Sequence, residues 1–216
     1  MSGVALVVLA KAPAPGRVKT RLCPPCTPAQ AAAVAEAALA DTLATVAATG
    51  VDRRVCVLDG SPGAWLPPGF PVRRQRPGGL DRRIAGALAD VGGPALLIGM
   101  DTPQLRVADL RHAIATLEDH DAALGPTDDG GYWAIGLRRP DDALLHGVPM
   151  STDGTHRAQL RRLERAGLRV ARLPRQRDVD HLADAHAIRD RCSPSGRFVA
   201  ALRQLDLELA GAPAAA

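Results

Sequence analysis

The sequence predicts a single α/β domain built on a mostly parallel, doubly wound sheet with helices on both faces. Two observations lead to this prediction: continuous apolar runs alternate with helix patterns along the chain, and a basic loop follows the first run. The chain has 216 residues, 46% of them hydrophobic and 23% charged, which is enough for one core, and no linker-like stretch divides it. Open α/β sheets bind ligands at the carboxyl ends of their strands, so a site is expected there.

Strands are predicted where apolar residues follow one another without polar alternation, as in strands covered on both faces of a parallel sheet. The run 95–99 is the most apolar in the middle of the chain and is predicted to be the central strand. The run 168–173 contains spaced arginines and is expected near an edge. In chain order the predicted strands are 4–9, 54–58, a short strand near 72, 95–99, 122–124, 132–137 and 168–173.

Helices are predicted where capping residues precede a periodic apolar face. Thr27 and Pro28 form an N-cap and first-turn pair before an alanine-rich segment that stops at Gly50, so both ends of a long helix are indicated. Ile84 and Leu88 have the i, i+4 spacing of a buried stripe. In chain order the predicted helices are 28–49, 80–90, 107–119, 155–166, 181–191 and a last helix that begins near 195.

The last helix carries one apolar stripe, formed by Phe198, Leu202, Leu205 and Leu209. Such a stripe packs either on the body of the protein or on its copy in a homodimer, and both arrangements stay open. The expected organisation is a main domain over 1–192, the amphipathic helix over 193–210 and a disordered tail over 211–216.

A basic loop follows the first strand and reads Lys-Ala-Pro-Ala-Pro-Gly-Arg-Val-Lys-Thr-Arg-Leu. Pro15 restricts its backbone, and Gly16 allows a close approach to a ligand. Thr20 and, ahead of the second helix, Gly79 are assigned to the same nucleotide and phosphate site. Backbone N–H groups and fixed cations are suited to share the charge of a phosphate. The cations of the loop are Lys11, Arg17, Lys19 and Arg21.

Three aspartates are expected at the same edge of the sheet, because each closes an apolar segment or lies in a glycine-rich turn: Asp101, Asp129 and Asp180. Carboxylate oxygens suit Mg²⁺ or Mn²⁺, and Mg²⁺ is usually held by one or two carboxylates together with substrate phosphates. The neighbouring Asp128 and Asp178 are alternatives to them. A single aspartate in a turn is more often a cap or an Asx turn, so the prediction depends on all three and the basic loop together.

An acceptor side is predicted around the turn 125–131 and the start of the fourth helix. The glycines before Tyr132 let a ligand or another backbone come close, although an ordinary hairpin turn with its aromatics in the core fits equally well. The cluster 151–154 signals a helix start that can receive an anionic group. The residues assigned to acceptor binding are Asp129, Gly130, Gly131, Tyr132, Ser151, Thr152 and His156.

Composition limits the partners that are expected. The net charge of +4 at pH 7 fits an anionic small molecule, whereas an aromatic content of 2% argues against nucleic acid. No run of about 18 apolar residues is present, so no membrane span is expected, and the protein is expected to be cytoplasmic. Cys23 and Cys26 have the spacing of a redox or zinc half-site, but no second pair follows, which favours a plain loop.

Four ordered motifs together resemble the selenodomain-associated transferases, a branch of the nucleotide-diphospho-sugar transferases with the GT-A fold that is often labelled glycosyltransferase. The motifs are the basic loop, Gly-x-Asp-x-Pro-x-Leu at 99–105, Gly-Pro-x-x-Asp-Gly-Gly-Tyr-x-x-x-Gly-Leu at 125–137 and Ser-Thr-Asp at 151–153. The resemblance covers 4–191. It implies a GT-A fold and a transferase that uses a nucleotide-activated donor.

More distantly, the chain is similar to the 2-phospholactate guanylyltransferases, in the segment from Lys19 to Leu22 and in the Asp-x-Asp at 178–180. This resemblance implies that the first loop holds nucleotide phosphates and that Asp101 and Asp180 hold magnesium. Those enzymes carry Gly-Thr-Asn where this chain has Gly-Tyr-Trp at 131–133, so specificity for guanine or phospholactate is not carried over.

Three functions stay open on the sequence. The favoured one is nucleotidyl transfer from a nucleoside triphosphate to a small phosphorylated acceptor, with pyrophosphate release and with Arg17, Lys19, Arg21 and Asp101 as the catalytic residues. Glycosyl transfer from a nucleotide sugar is the alternative, with Asp129 or Asp153 as base, and a non-catalytic nucleotide-binding regulator is the third. The single Asp101 after the central strand and the four cations favour the first.

Overall fold

The computed structural model describes residues 3–211 and contains, within them, seven strands that form one sheet. The strands are β1 (Ala5–Lys11), β2 (Arg54–Asp59), β3 (Val72–Arg74), β4 (Ala95–Ile98), β5 (Ala122–Pro126), β6 (Tyr132–Leu137) and β7 (Val170–Arg172). The helices are α1 (Pro28–Ala48), α2 (Leu80–Val91), α3 (Val107–Asp119), α4 (Thr155–Arg165), α5 (Leu182–Ile188) and α6 (Arg197–Gly211).

The strand order is β3-β2-β1-β4-β6-β5-β7. β4 therefore occupies the centre of the sheet, as the apolar run 95–99 predicts. β7 lies at one edge, as the spaced arginines of the run 168–173 predict. β1 pairs in parallel with β2 and β4, whereas β6 runs antiparallel to β4 and β5. The turn between β5 and β6 is thus a hairpin, and the sheet is mostly parallel with one reversed strand.

Helices cover both faces of the sheet, which confirms the doubly wound fold class. Even-numbered residues of β1 such as Leu6 pack with α1 and α3, while Val7 packs with α2 and α4 on the opposite face. Both side chains are fully buried. This explains why the strand reads as a continuous apolar run, since each face of a parallel sheet is covered.

The N-terminus of α1 is fixed by a capping box. Thr27 Oγ1 accepts a hydrogen bond from Gln30 N at 3.3 Å, and Gln30 Oε1 accepts one from Thr27 N at 2.8 Å. By length and composition this helix is apolar enough to cross a membrane, but 61% of the relevant window is buried inside the protein. The same composition is found in core helices, so α1 is only weak evidence for a membrane span.

The apolar stripe of α6 packs on α1 of the same chain. Phe198 and Leu202 are fully buried against Val34 and Ala38, and Asp41 of α1 caps the start of α6. Gly211 ends this helix, and the rest of the predicted tail, 212–216, lies outside the described residues. The predicted helix 181–191 is shorter than expected, because α5 ends at Ile188 and continues as a 3-10 turn.

β1 extends to Lys11, two residues beyond the predicted end. Its parallel pairing with β2 continues until Lys11 lies opposite Asp59. The Lys11 N–H is then 3.2 Å from Met100 Sδ, just after the end of β4. The basic loop therefore starts at the carboxyl edge of the sheet, beside the end of the central strand.

Candidate active site

The basic loop and the carboxyl end of β4 meet through the side chain of Lys19. Its Nζ lies 2.9 Å from Asp101 Oδ2 and 3.3 Å from Asp180 Oδ1, and the side chain is only 8% exposed. Arg21 adds a second ion pair, with its Nη1 2.6 Å from Asp180 Oδ2. Four residues that the sequence assigns to the site are thus joined by direct contacts, although Lys19 and Asp180 are far apart in the chain.

Lys19 adopts a left-handed backbone conformation, with φ 47° and ψ 38°. This conformation is uncommon for residues with a Cβ and is retained where the surrounding structure holds it. Burial lowers the pKa of the Lys19 ammonium, but the charges of Asp101 and Asp180 and the hydrogen bonds to them outweigh this effect, and the net pKa is raised. Lys19 is therefore a fixed positive charge at neutral pH.

Asp180 reaches this position because the segment that follows β7 crosses the carboxyl edge of the sheet. Val179 N donates to Asp101 O at 3.0 Å, and the Val179 side chain is 1% exposed. Two residues before Val179, Arg177 O accepts a hydrogen bond from Gln104 Nε2 at 2.6 Å. The alternation of side chains on either side of the buried valine places both Asp178 and Asp180 in the site.

A second acidic group lies beside the first. The carboxylate oxygens of Asp129, Asp178 and Asp180 lie within 4.8 Å of one another. Burial, and then the charges of Asp129 and Asp180, raise the pKa of Asp178 to about 6. An all-oxygen cluster of this kind has the ligand chemistry that Mg²⁺ and Mn²⁺ prefer.

The donor set differs in part from the sequence-based assignment, which paired Asp101 with Asp180. Asp180 belongs to both groups, whereas the Asp101 carboxylate contacts Lys19. Asp129, which the sequence placed both among the three aspartates of a cation site and on the acceptor side, lies with the acidic cluster. Its Oδ1 also accepts hydrogen bonds from Thr127 Oγ1 and Gly131 N, at 2.5 and 2.8 Å. The neighbouring Asp128 is instead paired with Arg177 at 2.9 Å.

The hairpin turn between β5 and β6 packs directly on the start of α4. Gly130 has φ +89°, and a Cβ built on it would lie 2.0 Å from Asp153 O. Gly130 O accepts a hydrogen bond from His156 N at 2.8 Å. The close approach of a second backbone explains the glycine here. Ser151, at φ 58°, and Lys19 are the two described non-glycine residues that have a positive φ.

The side chains assigned to acceptor binding divide into two groups. Ser151, Thr152 and Tyr132 line the main cavity, together with Gly131 and Asp129. Gly130 and His156 are not among the lining residues and contribute backbone contacts to each other. Burial, and then the charges of Arg175 and Arg172, lower the pKa of the His156 imidazole, which keeps it neutral at pH 7.

The aromatic pair at the start of β6 has two roles. Trp133 is buried, and its Nε1 donates to Pro174 O at 3.0 Å, so it belongs to the core. Tyr132 lines the cavity with its hydroxyl 3.8 Å from Met150 Sδ. Burial and the nearby charge of Asp81 raise the pKa of this phenol, so it stays protonated. The turn is thus a hairpin with Trp133 in the core, and Tyr132 is placed on the cavity wall.

The main cavity has a volume of about 540 Å³ and runs along the carboxyl edge of the sheet. One end holds the aspartates and the start of α4. The other end, between β1 and α2, is lined mainly by apolar residues, with Lys11, Gln75 and Arg83 as its polar side chains. Neither Gln75 nor Arg83 is assigned to the site from the sequence, although Gly79, which is assigned to it, lies in the segment 76–82 between them. The signal available was their position on either side of that segment, just after β3 and in the first turn of α2.

The remaining residues of the basic loop lie on a second hollow of about 260 Å³, which shares Lys11, Arg21, Asp101 and Asp180 with the main cavity. Arg17, Lys19 and Thr20 line this hollow. Pro15 and Gly16 are exposed and line neither space, and Gly79 is the exposed N-cap of α2. Arg17, Lys19 and Thr20 thus face the candidate site, whereas Pro15 and Gly16 contribute only to the backbone conformation of the loop.

The two cysteines beside this loop do not form a disulfide. All four cysteines of the chain are free thiols, with Cys26 buried and Cys23 half-buried. Burial raises the pKa of Cys26, with a further contribution from Cys23. Neither residue lines the main cavity.

Residues 31–152 match the DUF2064 family, described as an uncharacterized protein conserved in bacteria. The match includes Asp101 and the turn to β6, while the basic loop and the 178–180 segment lie outside it. No curated protein matches the chain at a significant level. The chain is similar to a solved structure from Desulfovibrio desulfuricans, provisionally described as a nucleotide-diphospho-sugar transferase. The identity is 26%, the TM-score 0.86, and the coverage 97% of this chain and 98% of that chain.

Two further solved structures share the fold at lower identity. Rv0371c from Mycobacterium tuberculosis, in complex with manganese, is 19% identical, with a TM-score of 0.53 and coverage of 87% of this chain and 98% of that chain. The 2-C-methyl-D-erythritol 4-phosphate cytidylyltransferase from Thermus thermophilus is 16% identical, with a TM-score of 0.54 and coverage of 95% and 100%. The fold is therefore that of the nucleotide-diphospho-sugar transferases, as the motifs predict.

Proposed function

The chain belongs to the DUF2064 family, and for this member we propose a nucleotide-using transferase, most specifically one that transfers a nucleotidyl group from a nucleoside triphosphate to a small phosphorylated acceptor. One observation carries the proposal: the buried ammonium of Lys19 is held between Asp101 and Asp180, two carboxylates that line both the main cavity of about 540 Å³ and the second hollow. The names of the similar structures, a sugar transferase and a cytidylyltransferase, support the same class.

The nucleotide extends along the cavity in this proposal. Its base occupies the end between β1 and α2, and its phosphates lie against the basic loop. Lys11, Arg17, Lys19 and Arg21 line the two connected spaces there, so their charges offset those of a triphosphate. The acceptor enters from Ser151 and Thr152, at the opposite end.

Asp129, Asp178 and Asp180 fit a divalent cation, since they offer only oxygen ligands within a short distance of one another. Asp101 joins them if Lys19 turns toward the phosphates. A bound Mg²⁺ or Mn²⁺ would neutralise phosphate charge at this place. The manganese complex of the structurally similar Rv0371c supports a metal of this kind.

In the proposed reaction an oxygen of the acceptor phosphate forms a bond to the α-phosphorus of the triphosphate. The bond from that phosphorus to the bridging oxygen breaks, and the electron pair leaves with pyrophosphate. Lys19 and Arg21 stabilise the charge that develops on the phosphoryl oxygens, and the cavity walls hold the two substrates in line.

Glycosyl transfer from a nucleotide sugar is the second candidate, favoured by the likeness at 26% identity to a protein provisionally described as a nucleotide-diphospho-sugar transferase. In that reaction the sugar moves and a nucleoside diphosphate leaves. Two features favour nucleotidyl transfer instead. A single aspartate, Asp101, follows β4, and a loop with four cations suits a triphosphate.

The product distinguishes the two reactions. The protein is incubated with Mn²⁺, each nucleoside triphosphate or each common nucleotide sugar, and a pool of phosphorylated acceptors. Pyrophosphate release that depends on the acceptor supports nucleotidyl transfer, and free nucleoside diphosphate from a nucleotide sugar supports glycosyl transfer. Absence of both products contradicts the enzymatic proposal.

The Lys19→Ala variant tests the loop in the same assay. We expect turnover to fall about a hundredfold or more, because a fixed charge aimed at the phosphates is lost. Arg74→Ala, on an exposed residue of β3 outside the cavity, is the control and should retain full activity. Equal activity of the Lys19→Ala variant and the wild type would remove the loop from the mechanism.

A further inference from the structure

The end of the cavity between β1 and α2 contains a cation with no acidic partner. Arg83 lies on α2 and lines the cavity, and its side chain makes one hydrogen bond in the described part of the chain, from Nη1 to Gln75 Oε1 at 3.2 Å. Its Nε is shielded from solvent and has no partner. A guanidinium carries five N–H donors and no acceptor, so most of its donors are unused.

Gln75 holds Arg83 in a fixed place. Its Nε2 donates to Ala10 O at 2.6 Å and to Val57 O at 3.1 Å, and its backbone N–H donates to Leu58 O at 2.9 Å. The glutamine amide is therefore tied to β1 and β2, and only its oxygen remains to accept from Arg83. The anchored oxygen of Gln75 thereby positions Nη1 of the Arg83 guanidinium.

The surroundings of Arg83 suit the faces of a flat ring. Leu9, Leu80, Ile84 and Leu97 line the same end of the cavity. Apolar walls with one polar edge are the usual form of a small-molecule pocket. Of the neighbouring cations, Lys11 lies where the cavity meets the second hollow, Arg76 is paired with Asp90, and Arg82 is exposed.

We infer that Arg83, positioned by Gln75, selects a nucleobase that offers two adjacent hydrogen-bond acceptors. This inference rests on the proposed function, since it assumes that the cavity binds a nucleotide. Guanine offers O6 and N7, and cytosine offers O2 and N3, and both match a fork of donors. Adenine places an amino donor beside each ring acceptor of its exposed edges, so donor would face donor.

Calorimetric titration in the presence of Mn²⁺ tests whether Arg83 selects the base. The ligands are GTP, CTP, UTP, ATP and inorganic tripolyphosphate, which is a probe without a base. We expect GTP or CTP to bind the wild type at least tenfold more tightly than ATP. The GTP and CTP titrations show which of the two bases the pocket prefers. Equal affinity for ATP and for the better of GTP and CTP would overturn the inference.

Arg83→Ala should remove the preference while leaving tripolyphosphate affinity within twofold of the wild type. Arg83→Lys retains a charge but not the fork, and it should lose most of the preference as well. Gln75→Leu should weaken discrimination through the loss of positioning. Arg82→Ala, next in sequence and outside the cavity, is the matched control and should behave as the wild type.

Two failures can be told apart. If all four nucleotides bind with equal affinity and Arg83→Ala changes none of these affinities, Arg83 does not select the base. The proposal that the cavity binds a nucleotide is then retained. If neither the nucleotides nor tripolyphosphate bind, the proposed function fails and the inference falls with it. Circular dichroism and thermal unfolding of each variant confirm that it folds, and Arg83→Lys provides the test if the alanine variant does not.

Discussion

At the scale of single residues, the candidate site is an arrangement of opposite charges in contact. Lys19 and Arg21 approach Asp180 from the loop, and Asp101 approaches Lys19 from the central strand. Asp180 also belongs to the acidic cluster with Asp178. One carboxylate therefore links the basic loop to the acidic cluster, so a change at either side alters the charge that the other side experiences.

The raised pKa of Asp178 predicts a pH-dependent stability. Its pKa is about 6 in the folded protein against an ordinary value of 3.8. A carboxyl group with a raised folded-state pKa favours folding when protonated, and this contribution is lost as the pH rises from about 4 through about 6. The full shift corresponds to roughly 3 kcal/mol, and partial exposure reduces the expected effect to about 1 kcal/mol.

We therefore expect Asp178→Asn to be more stable than the wild type at pH 8 in the presence of EDTA, with the difference vanishing near pH 4. Urea unfolding across this range measures it. Asp128→Asn is the control, since Asp128 forms a surface ion pair with Arg177, and its variant should stay within about 0.5 kcal/mol of the wild type. A wild type as stable as Asp178→Asn at pH 8 would contradict the prediction.

At the scale of elements, the site is assembled by the ends of strands and by the turns that follow them. β1 and β4 end side by side, which places the basic loop next to Asp101. The β5–β6 hairpin and the start of α4 meet through Gly130, so the placement of these two segments depends on a backbone contact. The segment after β7 completes the site, held to Asp101 by Val179 N.

Gly130→Ala is expected to break the contact between the hairpin and α4. The new Cβ would lie 2.0 Å from Asp153 O, and the positive φ adds strain. We expect a loss of about 3 kcal/mol or more in the free energy of unfolding, together with reduced turnover. Gly167→Ala is the matched control, because Gly167 also has a positive φ, +76°, but no atom within 4 Å of a Cβ.

Chemical denaturation compares the two glycine variants. Gly167→Ala should lose only about 1 kcal/mol, the usual cost of a side chain at such a φ. If the two variants lose the same free energy, the packing of Gly130 on α4 contributes nothing beyond backbone strain, and the close approach has no energetic role.

Asp41 joins α1 to α6 by capping. Its carboxylate accepts hydrogen bonds from Arg197 N and Phe198 N at 3.0 and 2.9 Å. Asp41→Ala should lower the free energy of unfolding by about 1 kcal/mol and leave nucleotide binding unchanged. Glu36→Ala, an exposed residue of the same helix, is the control for urea unfolding and should lose less than about 0.5 kcal/mol. An unchanged Asp41→Ala variant would show that the cap does not stabilise the docking of α6.

At the scale of the whole molecule, the residues of the candidate site lie along the carboxyl edge of the sheet. The cavity walls come from β1, β4, β6, α2 and the start of α4, together with the segment after β7. A ligand in this cavity contacts distant parts of the chain at once. Binding should therefore stabilise the protein as one unit, because the site exists only in the folded state.

Tripolyphosphate with Mn²⁺ tests this linkage by thermal unfolding. At a hundred times its Kd we expect about 2.7 kcal/mol of added stability, which corresponds to roughly 5–10 °C in Tm for a chain of this size. A nucleoside without phosphates should give a much smaller shift, since the basic loop then lacks its anion. Equal shifts from both ligands would contradict phosphate binding at the loop.

The sequence by itself determined the element order and the fold class, and it indicated the basic loop and the aspartates of the candidate site. Apolar runs without alternation identified the buried strands, and Thr27 and Pro28 lie at the N-cap and in the first turn of α1 as predicted. The basic loop and Asp101 were identified because both follow such runs, and the carboxyl ends of parallel strands share one edge.

Only the tertiary structure decided which of these residues touch. The contacts of Lys19 with Asp101 and Asp180, the gathering of Asp129 with Asp178, and the anchoring of Arg83 by Gln75 all join positions that are far apart or unremarkable in the sequence. Local patterns fix the period and the ends of elements, but not where a crossing segment lies on the sheet. That position follows from packing, here from the buried Val179 and its hydrogen bond to the end of the central strand.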